Sequence, residues 1–217
     1  MKIAAIHATI NAVKPLQDAF QTVNPEIEIV NFVNEELLRH ANQVNGIDAW
    51  GVRNFLRLVM QAAEADVQGI LIACSLYGYY QDTCRLLTDK ELITIDTPMI
   101  QEAVAKGNKI GVIATTASAG PAEVKKVCEE AARRHKNVQT ELRVVTEAMT
   151  CLKAGDQEGH NRLICKAGEE LVESGCDIVI LSQITMVCAQ TGMREFPVPV
   201  LTSPDSGARY MSSVLAK

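Results

Sequence analysis

A thiol and a hydroxyl stand side by side at the expected end of a buried strand. The apolar run GILIAC reaches Cys74, and Ser75 follows it directly. A thiol at such a strand end, beside a helix N-terminus, is expected to have a lowered pKa, and it can then serve as acid, base or nucleophile. The competing interpretation is a cysteine that only packs, because cysteine is among the residue types most often buried. Cys74 is the first candidate for chemistry.

Hydroxyl and amide side chains occupy the loops that follow two other apolar runs. Thr115, Thr116 and Ser118 come after the run KIGVIA, while Thr9 and Asn11 come after KIAAIH. Such side chains can bind a carboxylate beside the N-terminus of a helix. Ordinary helix capping is the alternative role, since capping uses the same residue types.

The sequence lacks the motifs that usually bind metal ions and nucleotide cofactors. No pair of histidines has metal-ligand spacing, and the chain contains no HExxH, CxxC, GxGxxG or P-loop motif. His7 ends the first expected strand and is either a site residue or a packed one, whereas His160 is expected to face solvent early in a helix. The seven cysteines are odd in number and widely spaced, so we expect no disulfide framework and mostly small, buried thiols. No cofactor is predicted.

Composition narrows the class of protein further. The 217 residues include 47% apolar residues, which is enough for a sizeable core, and the formal net charge is −5. An acidic chain with few aromatic residues argues against a nucleic-acid or anionic-membrane partner. The one basic stretch, residues 125–136, is interrupted by Glu129 and Glu130 and is interpreted as a solvated helix face. No apolar run reaches the roughly 18 residues that span a bilayer, and the first residues do not resemble a signal peptide, so a cytoplasmic location is expected.

Short apolar runs alternate with longer amphipathic runs along the chain, which predicts an α/β fold with parallel sheets. The expected strands are residues 2–7, 26–31, 69–74, 92–95, 109–114, 138–145, 177–181 and 198–201. The expected helices are residues 12–23, 34–41, 48–64, 121–134, 156–174 and 203–215, and Pro98 is expected to open a further helix.

A weak internal repeat divides the chain into two similar lobes. IAAIHATINA resembles IGVIATTASA, and QGILIACS resembles DIVILSQI. We expect residues 1–97 with 203–217 to form the first lobe and residues 98–202 to form the second. Because ligands of α/β sheets bind at the carboxyl ends of strands, we also expect a cleft between the lobes for a small anionic ligand.

Several segments, in order and spacing, resemble the aspartate/glutamate/hydantoin racemase superfamily over nearly the whole chain. They are IHATINAVKPL, the strand ending in Cys74 and Ser75, IDTPMIQEAV, KIGVIATTAS, AGDQEGH, DIVILSQITM and PVLTSP. The resemblance implies two pseudo-symmetric flavodoxin-like lobes and cofactor-independent proton transfer on a small carboxylate. It also implies two cysteines, one in each lobe, that flank the reacting carbon. Cys74 matches the first of them.

The second cysteine of the superfamily pattern has no match. The corresponding positions are Ser182 and Gln183. Inversion of a stereocentre needs one group to remove a proton and another to return one, and a glutamine amide has no titratable proton near neutral pH. Three alternatives stay open. They are racemisation with Cys188, His7 or a bound water as substitute, one-sided chemistry such as that of arylmalonate decarboxylases, and covalent catalysis such as that of maleate isomerases.

The predicted function is that of a racemase- or isomerase-type enzyme acting on a small carboxylate such as an amino acid. A catalytically lapsed small-molecule-binding protein is the alternative from another class. Self-association is left open. The predicted catalytic residues are Cys74 and Gln183, and the predicted substrate-binding residues are Thr9, Asn11, Ser75, Thr115, Thr116, Ser118 and Ser182.

Overall fold

The computed structural model describes residues 1–216. Contacts within the chain divide it into two compact units. The first unit comprises Met1–Ile95 together with the chain from Gly207 onward, and the second comprises Asp96–Ser206.

The first unit is a four-stranded parallel sheet flanked by helices. Its strands, β1 (Lys2–His7), β2 (Glu28–Val33), β3 (Gly69–Ile72) and β4 (Glu91–Thr94), lie in the order β2-β1-β3-β4. Its helices are α1 (Val13–Val23), α2 (Glu35–Val44), α3 (Ala49–Glu64) and the short α4 (Gln81–Arg85). Asn34 and Asp48 begin α2 and α3 by accepting backbone hydrogen bonds with their side chains, as N-cap residues do.

The second unit repeats this arrangement. Its strands, β5 (Lys109–Ala114), β6 (Gln139–Val144), β7 (Ile178–Leu181) and β8 (Val200–Thr202), lie in the order β6-β5-β7-β8. Its helices are α5 (Thr97–Lys106), α6 (Ala119–Arg133), α7 (Thr146–Lys153) and α8 (Gln157–Glu173), and a run of 3₁₀ turns covers Ile184–Met193. The boundary between the units falls within the last helix, α9 (Ser203–Leu215).

The two sheets share one strand order, which confirms the predicted α/β class with two pseudo-symmetric parallel-sheet lobes. In the first sheet β2 lies on one side of β1 and β3 lies on the other, so the strand order reverses between β1 and β3. In the second sheet the same reversal occurs between β5 and β7. The loops that follow these strands lie at the switch point, where ligands of such sheets bind. These loops contain the predicted site residues Thr9, Cys74, Thr115 and Gln183.

Alternation along the strands gives the second sheet two differently packed faces. Ile110, Val112 and Ile180 pack on one face, against α5 and α6. Ile113 and Leu181 pack on the other face, in a cluster that includes residues of α8. Both faces are buried, as expected for a parallel sheet covered by helices.

Several predicted bounds differ from the observed ones. The third strand ends at Ile72 rather than at residue 74, and the second strand is shifted to Glu28–Val33. Helices α4 and α7 were not expected. Helix α6 begins at Ala119, two residues before Pro121. This proline remains in the first turn, where its missing N–H has no helical partner to lose.

Candidate functional site

In the first unit, the sheet presents Cys74 at its carboxyl edge. Ile72 of β3 pairs with Ile6 of β1, and the Ala73 N–H donates to the Ile6 carbonyl at 2.9 Å. Cys74 follows this last contact, is partly buried, and packs against the apolar cluster that contains Ile6 and Ile72. Ser75, also partly buried, comes next in a turn in which its carbonyl accepts from the Gly78 N–H at 3.2 Å.

The chain after Cys74 forms tight turns instead of a long helix. The Tyr77 N–H donates to the Cys74 carbonyl at 3.2 Å, a 3₁₀ turn covers Gly78–Tyr80, and α4 has only five residues. The helix whose N-terminus was expected beside the Cys74 thiol is therefore only a short one. Tyr77 is fully buried, and its hydroxyl donates to the Leu37 carbonyl at 3.3 Å. Burial, and to a lesser extent the negative charge of a neighbouring Cys74 thiolate, raises the pKa of Tyr77 to about 12.

His7 is a packed residue of the first sheet. It is fully buried, its Nε2 lies 2.9 Å from Asn31 Oδ1, and burial lowers its pKa. Along β1 the side chains alternate, and the even-numbered residues Ala4 and Ile6 belong to the cluster that Cys74 contacts. His7 has odd parity and points to the opposite face of the sheet. This placement does not favour His7 as the partner of the Cys74 thiol.

Thr9 and Asn11 lie in the loop after β1. The Thr9 hydroxyl accepts from the Asn11 N–H at 3.4 Å and caps the 3₁₀ turn Ile10–Ala12. Asn11 is exposed. The adjacent Ile10 N–H donates to Glu35 Oε1 at 3.2 Å. Both predicted binding residues therefore stand at the same switch-point edge as Cys74, although the Thr9 hydroxyl has a capping role of its own.

In the second unit, Thr115 and Gln183 join the ends of β5 and β7. The carboxamide oxygen of Gln183 accepts two hydrogen bonds from Thr115, one from its backbone N–H at 2.6 Å and one from its hydroxyl at 2.8 Å. Thr115 is almost fully buried. These bonds fix the orientation of the amide. The described residues show no hydrogen bond donated by Gln183 Nε2.

The other predicted binding residues of this edge differ in what they contact. Thr116 Oγ1 accepts from the Ala119 N–H at 3.2 Å, so this hydroxyl supports the start of α6. Ser118 is exposed and makes no side-chain cap bond. Ser182 is buried, its N–H donates to the Ile113 carbonyl at 3.0 Å, and no partner for its hydroxyl is found among the described residues.

His160 contradicts the expectation of a solvent-facing side chain. It is fully buried on α8. The residues that share its side of the helix, Ile164, Ala167 and Leu171, are all buried. Their spacing of four, three and four residues marks one helical face and could have been recognised in the sequence. The polar residues next to His160 in the sequence obscured this helical pattern.

The second unit contains a buried ionic cluster. Lys126 on α6 bridges the carboxylates of Asp96 and Glu123, and all three side chains are largely buried. Burial, followed by the charge of Asp96, raises the pKa of Glu123 to about 8 against the opposing effect of Lys126. The interpretation of residues 125–136 as a solvated face is therefore wrong for Lys126. Lys136 likewise donates to backbone carbonyls, among them that of Val104 at 2.8 Å.

The thiols are more exposed than expected. Cys84 and Cys176 are buried, Cys128 and Cys188 are exposed, and the other three are partly buried. Within residues 1–216, no group of three or more acidic, histidine or cysteine side chains is arranged to hold a metal ion. Over the same residues, no helix is both long and apolar enough to cross a bilayer.

Two parallel-sheet lobes of one topology, with candidate site residues at the switch point of each sheet, define the class of this α/β protein. The sequence profile described as Asp/Glu/Hydantoin racemase matches residues 5–211. The chain belongs to this family, which comprises racemases and isomerases.

Solved structures share the fold at low sequence identity. Allantoin racemase from Klebsiella pneumoniae is 20% identical with a TM-score of 0.71, and the match covers 100% of this chain and 88% of that one. An aspartate racemase homologue from Pyrococcus horikoshii is 13% identical with a TM-score of 0.76 over 100% of both chains. Maleate cis-trans isomerase from Nocardia farcinica, with a covalently bound succinylcysteine intermediate, is 14% identical with a TM-score of 0.66, covering 99% of this chain and 92% of that one. A search of curated proteins finds no match.

Proposed function

We propose that this protein is a cofactor-independent racemase- or isomerase-type enzyme in which Cys74 transfers a proton at a carbon of a small carboxylate. The observation that carries the proposal is the position of Cys74 at the carboxyl edge of β3, beside the end of β1, where the strand order reverses. Ligands of open α/β sheets bind at such a point. Membership of the Asp/Glu/Hydantoin racemase family supports the reaction class.

The proposed step moves one proton. The Cys74 thiolate takes the proton from the carbon next to the carboxylate, so that a C–H bond breaks and an S–H bond forms. The electron pair left behind spreads onto the carboxylate oxygens, and donors that strengthen their bonds to that growing charge lower the barrier. Ser75, which follows Cys74 directly, is a donor of this kind. Return of a proton to the carbon completes the reaction.

A second candidate is covalent catalysis by Cys74. The Nocardia farcinica maleate isomerase structure contains a succinyl group bound to cysteine. In a mechanism of this type, the thiolate adds to an unsaturated carbon and is later expelled, so no free carbanion needs to persist. The mass of the intact protein during turnover separates this candidate from proton transfer, because only the covalent route adds the mass of a substrate.

The decisive experiment is proton–deuterium exchange in heavy water with both enantiomers of aspartate and glutamate, and with maleate as the unsaturated probe. For at least one of the chiral compounds, we expect exchange by the wild type and a loss of roughly 100-fold or more in Cys74→Ser, since general acid–base groups contribute factors of that size. Cys128→Ser, which alters an exposed thiol on α6, is the matched control and should keep the wild-type rate.

Two results would count against the proposal. Exchange by Cys74→Ser at the wild-type rate would remove Cys74 from the chemistry. Tight binding of one of these compounds, with neither exchange nor a mass adduct, would indicate a binding protein that has lost catalysis.

A further inference from the structure

A cavity of about 350 Å³ lies in the second unit, beside the start of the edge strand β8. Its lining comes from residues 190–194, at the end of the 3₁₀ segment, and from residues 196–200, which lead into β8. Because β8 is parallel to β7, its start lies at the amino edge of the sheet, whereas Gln183 follows the carboxyl end of β7. Small-molecule sites have volumes of about 300–1,000 Å³, so this cavity has room for a small ligand.

Close packing on α8 holds the apolar wall of this cavity in place. A Cβ added to Gly168 of α8 would lie 2.7 Å from Phe196 Cε2 and 3.0 Å from Met193 Cε, so both side chains lie directly on the helix backbone. A Cβ added to Gly192 would lie 2.8 Å from Cys165 Sγ, which brings the 3₁₀ segment equally close to α8. Phe196 is only partly buried, so part of its ring remains accessible to an apolar group. A wall fixed in advance lowers the entropy cost of binding.

The charge of the lining favours an anionic group. Among the described residues that line the cavity, Arg194 is the charged one. It is exposed, and no ion pair or hydrogen bond of its guanidinium is found within residues 1–216. The planar fork of a guanidinium matches the two oxygens of a carboxylate. Phosphate sites collect several backbone N–H groups or cations, so one arginine beside an apolar wall favours a carboxylate.

A second polar group in the lining favours a ligand that also donates a hydrogen bond. Gln190 Nε2 donates to the Val200 carbonyl at 3.0 Å. This bond leaves the carboxamide oxygen of Gln190 as an acceptor, and an ammonium group would supply the matching donor. A carboxylate, an ammonium group and an apolar body occur together in an α-amino acid with an apolar side chain.

We propose that this cavity is a binding site for an α-amino acid with an apolar side chain, separate from the Thr115–Gln183 edge of the same unit. Arg194 binds the carboxylate, the Gln190 oxygen accepts from the ammonium group, and the side chain of the ligand packs against Phe196. This inference does not depend on the proposed function, because it uses none of the residues to which the proposed reaction assigns a role.

The test is a titration of the full chain with L-leucine and D-leucine, followed by the NMR shifts of its backbone amides. For at least one enantiomer, we expect saturable shifts at residues 190–200. Glycine lacks the apolar side chain, leucinol lacks the carboxylate and isocaproate lacks the ammonium group, so each should bind more weakly. Arg194→Gln should weaken the binding of leucine by about tenfold or more, since a hydrogen-bonded charge is lost. Arg162→Gln changes an exposed arginine of α8 that does not line the cavity and should bind leucine as the wild type does.

Three results would overturn this inference. Shifts that grow linearly without saturation would show that the cavity has no affinity for either enantiomer. Saturable shifts confined to the loops around Thr115 and Gln183 would place the ligand at the other edge of the sheet. Equal binding of leucine by Arg194→Gln and the wild type would remove the carboxylate contact. None of these results bears on proton exchange by Cys74 in heavy water, so the proposed function is tested separately.

Discussion

Replacement of Glu123 by glutamine should change how stability depends on pH. The Glu123 side chain is 3% exposed, and Lys126 is shared between it and Asp96, so two carboxylates compete for one ammonium group. Burial raises the pKa of Glu123 from its ordinary value of 4.5 to about 8. The folded protein therefore binds a proton at Glu123 that the unfolded chain has already released over most of that range.

The sign and size of the effect follow from this difference in proton binding. Where only the folded state holds the proton, the free energy of unfolding falls as pH rises, by about 1.4 kcal/mol per pH unit. Between pH 6 and pH 8 the wild type should lose about 2 kcal/mol through this group, since titration of the folded state begins near the end of the interval. Glu123→Gln carries no titratable proton and should lose none of that amount.

Urea unfolding at several pH values between 6 and 8 measures this difference. The free energies of the two proteins should diverge with pH, and the variant should gain relative to the wild type as pH rises. Glu129→Gln removes an exposed carboxylate from the same helix and controls for the loss of a charge. Parallel pH dependence of the wild type and Glu123→Gln would refute the reasoning, because Glu123 would then be ionised in the folded protein at neutral pH.

Three further outcomes are expected. Tyr77→Phe should lower the free energy of unfolding by about 0.5–1.5 kcal/mol, because the hydroxyl that donates to the Leu37 carbonyl is lost, and an unchanged melting temperature would contradict that bond. Gly111→Ala should cost about 1–3 kcal/mol, since the added methyl group meets Leu171, and a stabilised variant in urea unfolding would show that α8 can yield. Burial raises the pKa of Cys84 to about 11, so in peptide-mapped iodoacetamide labelling at pH 8 it should react more slowly than the exposed thiols, and rapid labelling would disprove its burial.

The sequence contained most of the secondary structure. The alternation of short apolar and longer amphipathic segments predicted every strand of both sheets to within about two residues. The signal is clearest for β3 and β7, because buried parallel strands are apolar along their whole length. Short elements escaped prediction. Helix α4 has five residues and α7 has eight, too few for a helical period to stand out from the surrounding loops.

The candidate site was predicted by residue type and only partly by environment. Cys74 at the end of GILIAC was recognisable because strand ends face the ligand edge of such sheets. The sequence allowed the Thr116 hydroxyl either to bind a ligand or to cap a helix. Only the structure shows that this hydroxyl accepts a hydrogen bond from the Ala119 N–H and so supports the first turn of α6. The prediction for His160 was wrong, because its polar sequence neighbours indicated exposure, whereas its four-residue spacing to Ile164 places it on the buried face of α8.

By itself, the sequence determined the α/β class, the internal repeat and the reactive residue types, because these depend on local periodicity and on covalent chemistry. Only the tertiary structure decided that Gln183 turns its oxygen to Thr115, that His7 and Cys74 take opposite faces of the sheet, and that Lys126 bridges Asp96 and Glu123. Contacts of this kind join residues far apart in the chain. They arise when strand order and helix packing bring these residues together, and no local pattern encodes that geometry.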